Sequence, residues 1–358
     1  MAREYQICTN CVMDTTDPKI TFNEEGICTH CRRLGIFHRG DVMKLEVSEE
    51  KLKKLISEIK EAGKNKAYDC ILGVSGGLDS SYLAYLAYKY ELRPLCVHLD
   101  NGWDSELAVK NIERVVKKFK FNLYTHVIDW GEFKDLQLSF FKAGVLDIEV
   151  LTDHAITAII YQQASLNEVK YILSGWNLAL ENTMPYSWNY YKLDTLNILD
   201  IHRHFGSKPI KTFPLIDGYR YYVYQSLEGI KSAHLLNLVH YSKEEALSFL
   251  DKECGYKYYG DKHYESVFTR FYQSYILPEK FKIDKRKAHL SALIHSGQIS
   301  KEFALEELKK PTYDPKKLKE DKEFVLKKLD FSEKDFEIYM NSPIKEHTHY
   351  LSGLPPRQ

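Results

Sequence analysis

Apolar residues Leu52, Leu55, Ile56 and Ile59 recur at helical spacing, which predicts a helix over 49–62 closed by Gly63. From residue 69 the pattern changes to short apolar runs separated by amphipathic stretches. Strands are expected at 69–74 (DCILGV), 93–100 (RPLCVHLD), 122–129 (NLYTHVID) and 170–175 (KYILSG). Helices are expected between them, at 78–90 with Leu83, Leu86 and Ala87 on its apolar face, at 105–119 and at 152–166. Such alternation predicts an α/β fold, a doubly wound parallel sheet. In such sheets ligands sit at the carboxyl ends of the strands.

After residue 176 the alternation fades. Residues 185–275 hold 14 of the 26 tyrosines. The tail reads as helical. Residues 242–254 open with a capping box, Ser242 to Glu245; residues 286–297 end at Gly297; residues 300–310 are stopped by Pro311. The last dozen residues are expected to be loose. Three parts follow: a small module at 1–40, an α/β domain at 41–215, and a mostly helical, tyrosine-rich region at 216–358 for substrate or partner binding.

Lysine plus arginine and aspartate plus glutamate each number 50, so the formal net charge is zero. That balance supplies no global field for nucleic acid or an anionic membrane, and neither is expected as a partner. No apolar run approaches the ~20 residues of a membrane span. The N-terminal MAREYQICTN lacks the apolar stretch of a signal peptide, so a cytoplasmic location is expected.

Four of the seven cysteines fall within the first 31 residues, as Cys8-x2-Cys11 and Cys28-x2-Cys31. Two such knuckles in a reducing compartment predict a four-thiolate zinc site, closed and therefore structural. Cys70, Cys96 and Cys254 read as buried small apolar residues.

The stretch GVSGGLDSS (73–81) follows a predicted strand and opens a predicted helix. Gly76 and Gly77 let the backbone approach an anion, and the helix N-terminus offers amides to a phosphate. Ser75, Ser80 and Ser81 add hydroxyls. A carboxylate beside phosphates repels them unless a cation intervenes, so Asp79 points to Mg²⁺ bridging to a pyrophosphate. No GK[ST] follows, which excludes a Walker loop.

Ser75-Gly76-Gly77-Leu78-Asp79-Ser80 resembles the PP-loop of the N-type ATP pyrophosphatase superfamily, whose members cleave ATP between its α and β phosphates. With CTNCVMD…CTHC, HLDNGW (98–103), TDHAI (152–156), SGWNLALEN (174–182) and DKRKAHLSALIHSGQIS (284–300), nearly the whole chain resembles the N-acetyl sugar amidotransferase family. Those enzymes of bacterial surface polysaccharide, O-antigen and flagellin-glycan biosynthesis turn an acetamido group into an acetamidino group.

The resemblance implies ATP, Mg²⁺ and a nucleotide-activated N-acetyl sugar. It also implies ammonia from a separate glutaminase acting with a cyclase-like subunit; residue 2 is Ala, so the chain has no N-terminal cysteine nucleophile of its own. The end of the second strand, Val97, His98, Leu99 and Asp100, is implied to cradle adenine. His98 can instead pack the strand end, and Asp100 can hold metal or merely end the strand. Gly175 ends the fourth strand, where the backbone must pass close to the ligand. Asp153 caps its helix or contacts magnesium or substrate; Glu181 is a surface charge, a metal ligand or an orienter of ammonia. Lys211 is implied to contact the phosphates. Trp176, Asn177, Asn182, Arg270, Lys285 and Arg286 are candidates for substrate. A tRNA thiolation enzyme and a non-enzymatic nucleotide sensor are the competing readings.

Overall fold

The computed structural model describes residues 4–260 and 264–353. Five parallel strands, β1 (Cys70–Gly73), β2 (Pro94–Asp100), β3 (Asn122–Val127), β4 (Tyr171–Leu173) and β5 (Lys231–Ala233), form one sheet in the order β3-β2-β1-β4-β5. The chain winds outward from β1 to β3, then crosses to the other side of β1. The switch of direction leaves a crevice at the carboxyl ends of β1 and β4.

Period-two alternation divides the strand residues between two cores. Cys70, Leu72 and Cys96 pack with residues of α2 (Glu49–Ala62), α3 (Leu78–Lys89) and α4 (Glu106–Phe119). Ile71, Leu95, Val97 and Leu99 pack with α5 (Trp130–Ala143) and α6 (Val150–Leu166) on the opposite face. The short α1 (Thr29–Arg33) belongs to the cysteine module. Next come α7 (Leu178–Glu181), α8 (Thr195–Phe205), α9 (Gly218–Tyr222), α10 (Lys243–Cys254) and α11 (Val267–Phe271). A wide-turned helix at Tyr272–Phe281, α12 (Arg286–His295), α13 (Lys301–Lys309), α14 (Pro315–Leu329) and α15 (Glu333–Asn341) complete the chain. Helix starts carry their own caps: the hydroxyls of Ser48, Ser105 and Ser242 accept the amides of Lys51, Ala108 and Glu245.

Two expectations need correction. The boundary at residue 215 cuts the α/β domain, because β5 lies beyond it and α10 packs on α3 and α4. Nor are the described residues of the last dozen loose. His347 is buried, stacks on Tyr190 with ring centroids 3.9 Å apart and bonds Asn197 at 2.7 Å. Residues 354–358 lie outside the described part. The N-terminal module is fastened to the C-terminal helices: Val12 N–H donates to Ser291 Oγ at 3.2 Å and the Lys301 ammonium to Cys8 O at 2.5 Å. Among the described residues no helix is long and apolar enough to cross a membrane.

Candidate active site and cysteine cluster

The loop after β1 turns through Gly76, whose φ is +76°; a Cβ there would lie 2.4 Å from Ala108 O in α4. Only glycine fits both demands. The Tyr256 hydroxyl donates to Gly76 O at 3.2 Å and holds the turn from the other side. Ser75 Oγ accepts the Gly77 amide at 3.2 Å. Gly77 is the N-cap of α3 and no side chain caps that helix, so its first amides face the crevice. Gly76→Ala combines ~1–2 kcal/mol of left-handed strain with a backbone overlap. It should lower the melting temperature and raise the KM for ATP by more than tenfold. An unchanged KM would show that the turn does not set the phosphate site.

Asp79, in the first turn of α3, accepts hydrogen bonds from the Tyr241 hydroxyl and from Asn177 Nδ2 at 3.3 Å. Burial, and then the Asp79 charge, push the Tyr241 pKa up, so the phenol stays a donor. Ser75, Gly175 and Glu181 line both of two adjoining cavities, of about 810 and 640 Å³. The larger runs along Val97, His98, Leu99, Asp153 and Trp176. The smaller lies over Gly77, Leu78, Asp79 and Ser80, facing Lys243, Tyr259 and Arg286. Lys285, His289, Gln273 and Glu265 border both.

Buried charged groups line the larger cavity. Lys192 Nζ lies 2.6 Å from Asp147 and 3.1 Å from Asp153, and these carboxylates outweigh burial to raise its pKa. Burial raises the pKa of Glu149, which accepts Gln273 Nε2 at 2.9 Å. Burial lowers that of Lys285. His98 bonds Val74 O at 3.0 Å and faces Asp104 at 3.3 Å. Burial opposes its charge, but Asp104 prevails and the pKa stands above the ordinary value.

Several predicted site residues are placed elsewhere. Lys211 is exposed and lines neither cavity; Glu132 accepts the amides of Lys211, Thr212 and Phe213 and pins that loop to the start of α5. Arg270 is buried in an ion pair with Asp321 at 2.6 Å, inside the helical region. Asp100 closes a turn by accepting the Gly102 amide at 2.8 Å. Ser81 is buried behind the loop. Asn177 is fully buried, caps α7 and orients Asp79. Asn182 Nδ2 donates to Leu178 O at 2.8 Å and its Oδ1 lies 2.9 Å from His295 Nδ1, away from the cavities. Arg286 reaches the smaller cavity but is partly committed to Asp284 at 2.7 Å. Glu149, Lys192, Tyr241, Glu265, Gln273 and His289 escaped sequence reasoning. All but His289, which lies in the quoted segment 284–300, are isolated polar residues with no motif spacing; the acidic residues Asp147, Glu149 and Asp153 around the start of α6 were a further signal.

The four module cysteines are fully buried, with ligand atoms within 4.8 Å of one another. The Cys8–Cys31, Cys11–Cys28 and Cys28–Cys31 sulfur separations are each 3.7 Å. A tetrahedron with Zn–S bonds of ~2.3 Å has edges of ~3.8 Å. Cys8 Sγ also accepts the amides of Asn10, Cys11 and Cys28 at 3.3–3.5 Å, which suits a thiolate. The donor set therefore fits zinc.

Residues 265–353 match a family model described as "LPS biosynthesis protein WbpG-like, C-terminal domain". The match contains the segment 284–300 and the cavity residues Gln273, Lys285, Arg286 and His289. These residues are thus similar to that C-terminal domain, in agreement with the resemblance drawn from the sequence. The chain is 28% identical over 329 residues to "Uncharacterized protein MJ1599" of Methanocaldococcus jannaschii, covering 88% of this chain and 96% of that one. A segment of 88 residues is 34% identical to a tRNA(Ile)-lysidine synthase of Clostridium tetani, covering 22% and 19%. Among solved structures, an NH3-dependent NAD synthetase of Campylobacter jejuni is 14% identical with a TM-score of 0.32, covering 82% of this chain and 97% of that one.

Proposed function

We propose that this chain, with its WbpG-like C-terminal domain of lipopolysaccharide biosynthesis, is an ATP-dependent sugar amidotransferase. One observation carries the reading. Asp79 of the Ser75–Ser80 loop borders a cavity at the strand switch point whose opposite wall, Lys285, Arg286 and His289, comes from the WbpG-like domain. In the proposed reaction the acetamido oxygen of an N-acetylated, nucleotide-activated sugar attacks the α-phosphorus of ATP. The bond to pyrophosphate breaks. The nitrogen of ammonia then adds to the activated carbon, the C–O bond breaks, AMP leaves, and an acetamidino group remains.

The chain's own part is positioning and charge. Gly76 and Gly77 bring backbone amides to the phosphates. Asp79 would hold Mg²⁺, which offsets charge on the departing pyrophosphate. Lys285, at the junction of the cavities, lies where charge develops. Glu181 borders both cavities, where it can orient ammonia. A separate glutaminase with a cyclase-like partner is the proposed ammonia source, and the cytoplasm the proposed location.

The test is incubation with ATP, Mg²⁺, ammonium and a panel of acetamido nucleotide sugars. The expected result is sugar-dependent AMP and a product lighter by the difference between O and NH. A tRNA thiolation enzyme would need reactive core thiols. Cys70 and Cys96 are fully buried, and burial holds both protonated, Cys96 with a pKa pushed up to about 12. The Cys70→Ala/Cys96→Ala double variant should keep at least half of the AMP-forming rate. Its loss, with AMP formed only on tRNA and a sulfur donor, would favour thiolation.

A further inference from the structure

We propose that the cysteine cluster holds one wall of the active site in place through His295, which acts as a positioning residue. His295 Nε2 lies 3.2 Å from Cys31 Sγ. Its Nδ1 lies 2.9 Å from Asn182 Oδ1 and 3.0 Å from Thr183 Oγ1. The imidazole is fully buried, so its hydrogen bonds form without competition from water. Asn182 follows the four-residue helix α7 and donates back to Leu178 O at 2.8 Å. At the other end of that helix Asn177 donates to Asp79. Ser296, next to His295, donates to Ala179 O at 2.8 Å.

A helix of one turn has little stability of its own, so its placement depends on these braces. Glu181, its last residue, and Thr183, two residues beyond it, line the larger cavity. A metal-held Cys31 sulfur is a fixed hydrogen-bond acceptor, so Nε2 carries the proton and Nδ1 accepts from the Thr183 hydroxyl, and partners beyond the ligands orient whatever they touch. The chain of contacts therefore runs from Cys31 through His295 and Thr183 to α7 and Asp79.

Hydrogen exchange by mass spectrometry on the full chain tests this coupling, and it does so whether or not the sugar reaction is correct. In zinc-loaded protein, His295→Ala should raise exchange of the 177–184 peptide at least fivefold. The peptides of 8–31 and 94–100 should keep wild-type protection, with unchanged zinc content by elemental analysis. His295→Gln, which retains a donor and an acceptor, should restore most of the protection. Extracting zinc from the wild type with a chelator should loosen 177–184 as well, and extracting it from His295→Ala should add little there. The idea fails if loaded His295→Ala leaves 177–184 protected, or if Ala and Gln loosen it equally. Should the chelated protein unfold throughout, the loaded Ala and Gln variants decide alone.

Discussion

Replacing Asp79 with Asn should reduce AMP formation about a thousandfold while leaving the fold intact. The substitution keeps the shape of the side chain and an oxygen that can accept from Tyr241 and Asn177. What it removes is the charge that a cation bridging to the phosphates needs. A bound divalent ion contributes several kcal/mol of charge stabilisation, and ~4 kcal/mol corresponds to ~10³ in rate. The loss should fall on kcat and on the Mg²⁺ requirement, with the melting temperature nearly unmoved. Tyr241→Phe gives the contrast. It removes one hydrogen bond to a charged acceptor, worth ~1.5–3 kcal/mol, and leaves the carboxylate in place. Its rate should fall by about one order of magnitude. Asp79→Asn protein with more than a tenth of the wild-type rate and the same Mg²⁺ dependence would show that another group holds the metal.

That contrast separates what was legible in the sequence from what was not. Asp79 announces itself through spacing: a carboxylate after two glycines, between a strand and a helix, has few chemical explanations. Tyr241, 162 positions away, has none of these signals. The strands and helices between residues 49 and 176, apart from α5 (Trp130–Ala143), were legible for the same reason. A helix such as Glu49–Ala62 carries both its period and its caps. The strand β5 carries neither, because it is three residues long and two of them are exposed. It is recruited by pairing with Tyr171–Leu173, a tertiary event.

The misplaced cations have a common cause. Lys211 is a candidate by the resemblance and Arg270 by charge and neighbourhood, and neither says which side chain is already spent. Arg270 is spent on Asp321, and Glu132 turns the Lys211 loop away by capturing its amides. Lys285 carries the same formal charge and was not distinguishable from them in the sequence. Its place at the junction of two cavities depends on how α12 packs against α7.

The second large effect is expected at the cysteine cluster. Cys8→Ser should abolish zinc retention and lower stability by more than about 4 kcal/mol, in the range reached when a structural metal is lost. Beyond the metal, the module has a small apolar core and a few polar ties to the C-terminal helices. Its buried apolar residues, among them Val12, Met13, Ile20 and Ile27, surround the four sulfurs. Without a cation, four thiols at these separations leave a polar cavity at the centre of that packing. Serine is near-isosteric with cysteine, so the loss reads the metal bond rather than volume. The Lys301 ammonium bonds Cys8 O, so the damage should extend to α13 and α12 and stop short of β3. Elemental analysis of the wild type should give one zinc and no iron per chain, and the variant less than a tenth of that. A variant that melts like the wild type, with the metal gone, would show that the module is held by its packing alone. A redox dithiol would instead give metal-free wild type whose Cys8 and Cys11 react with thiol reagents, an outcome opposed by sulfurs that are fully buried.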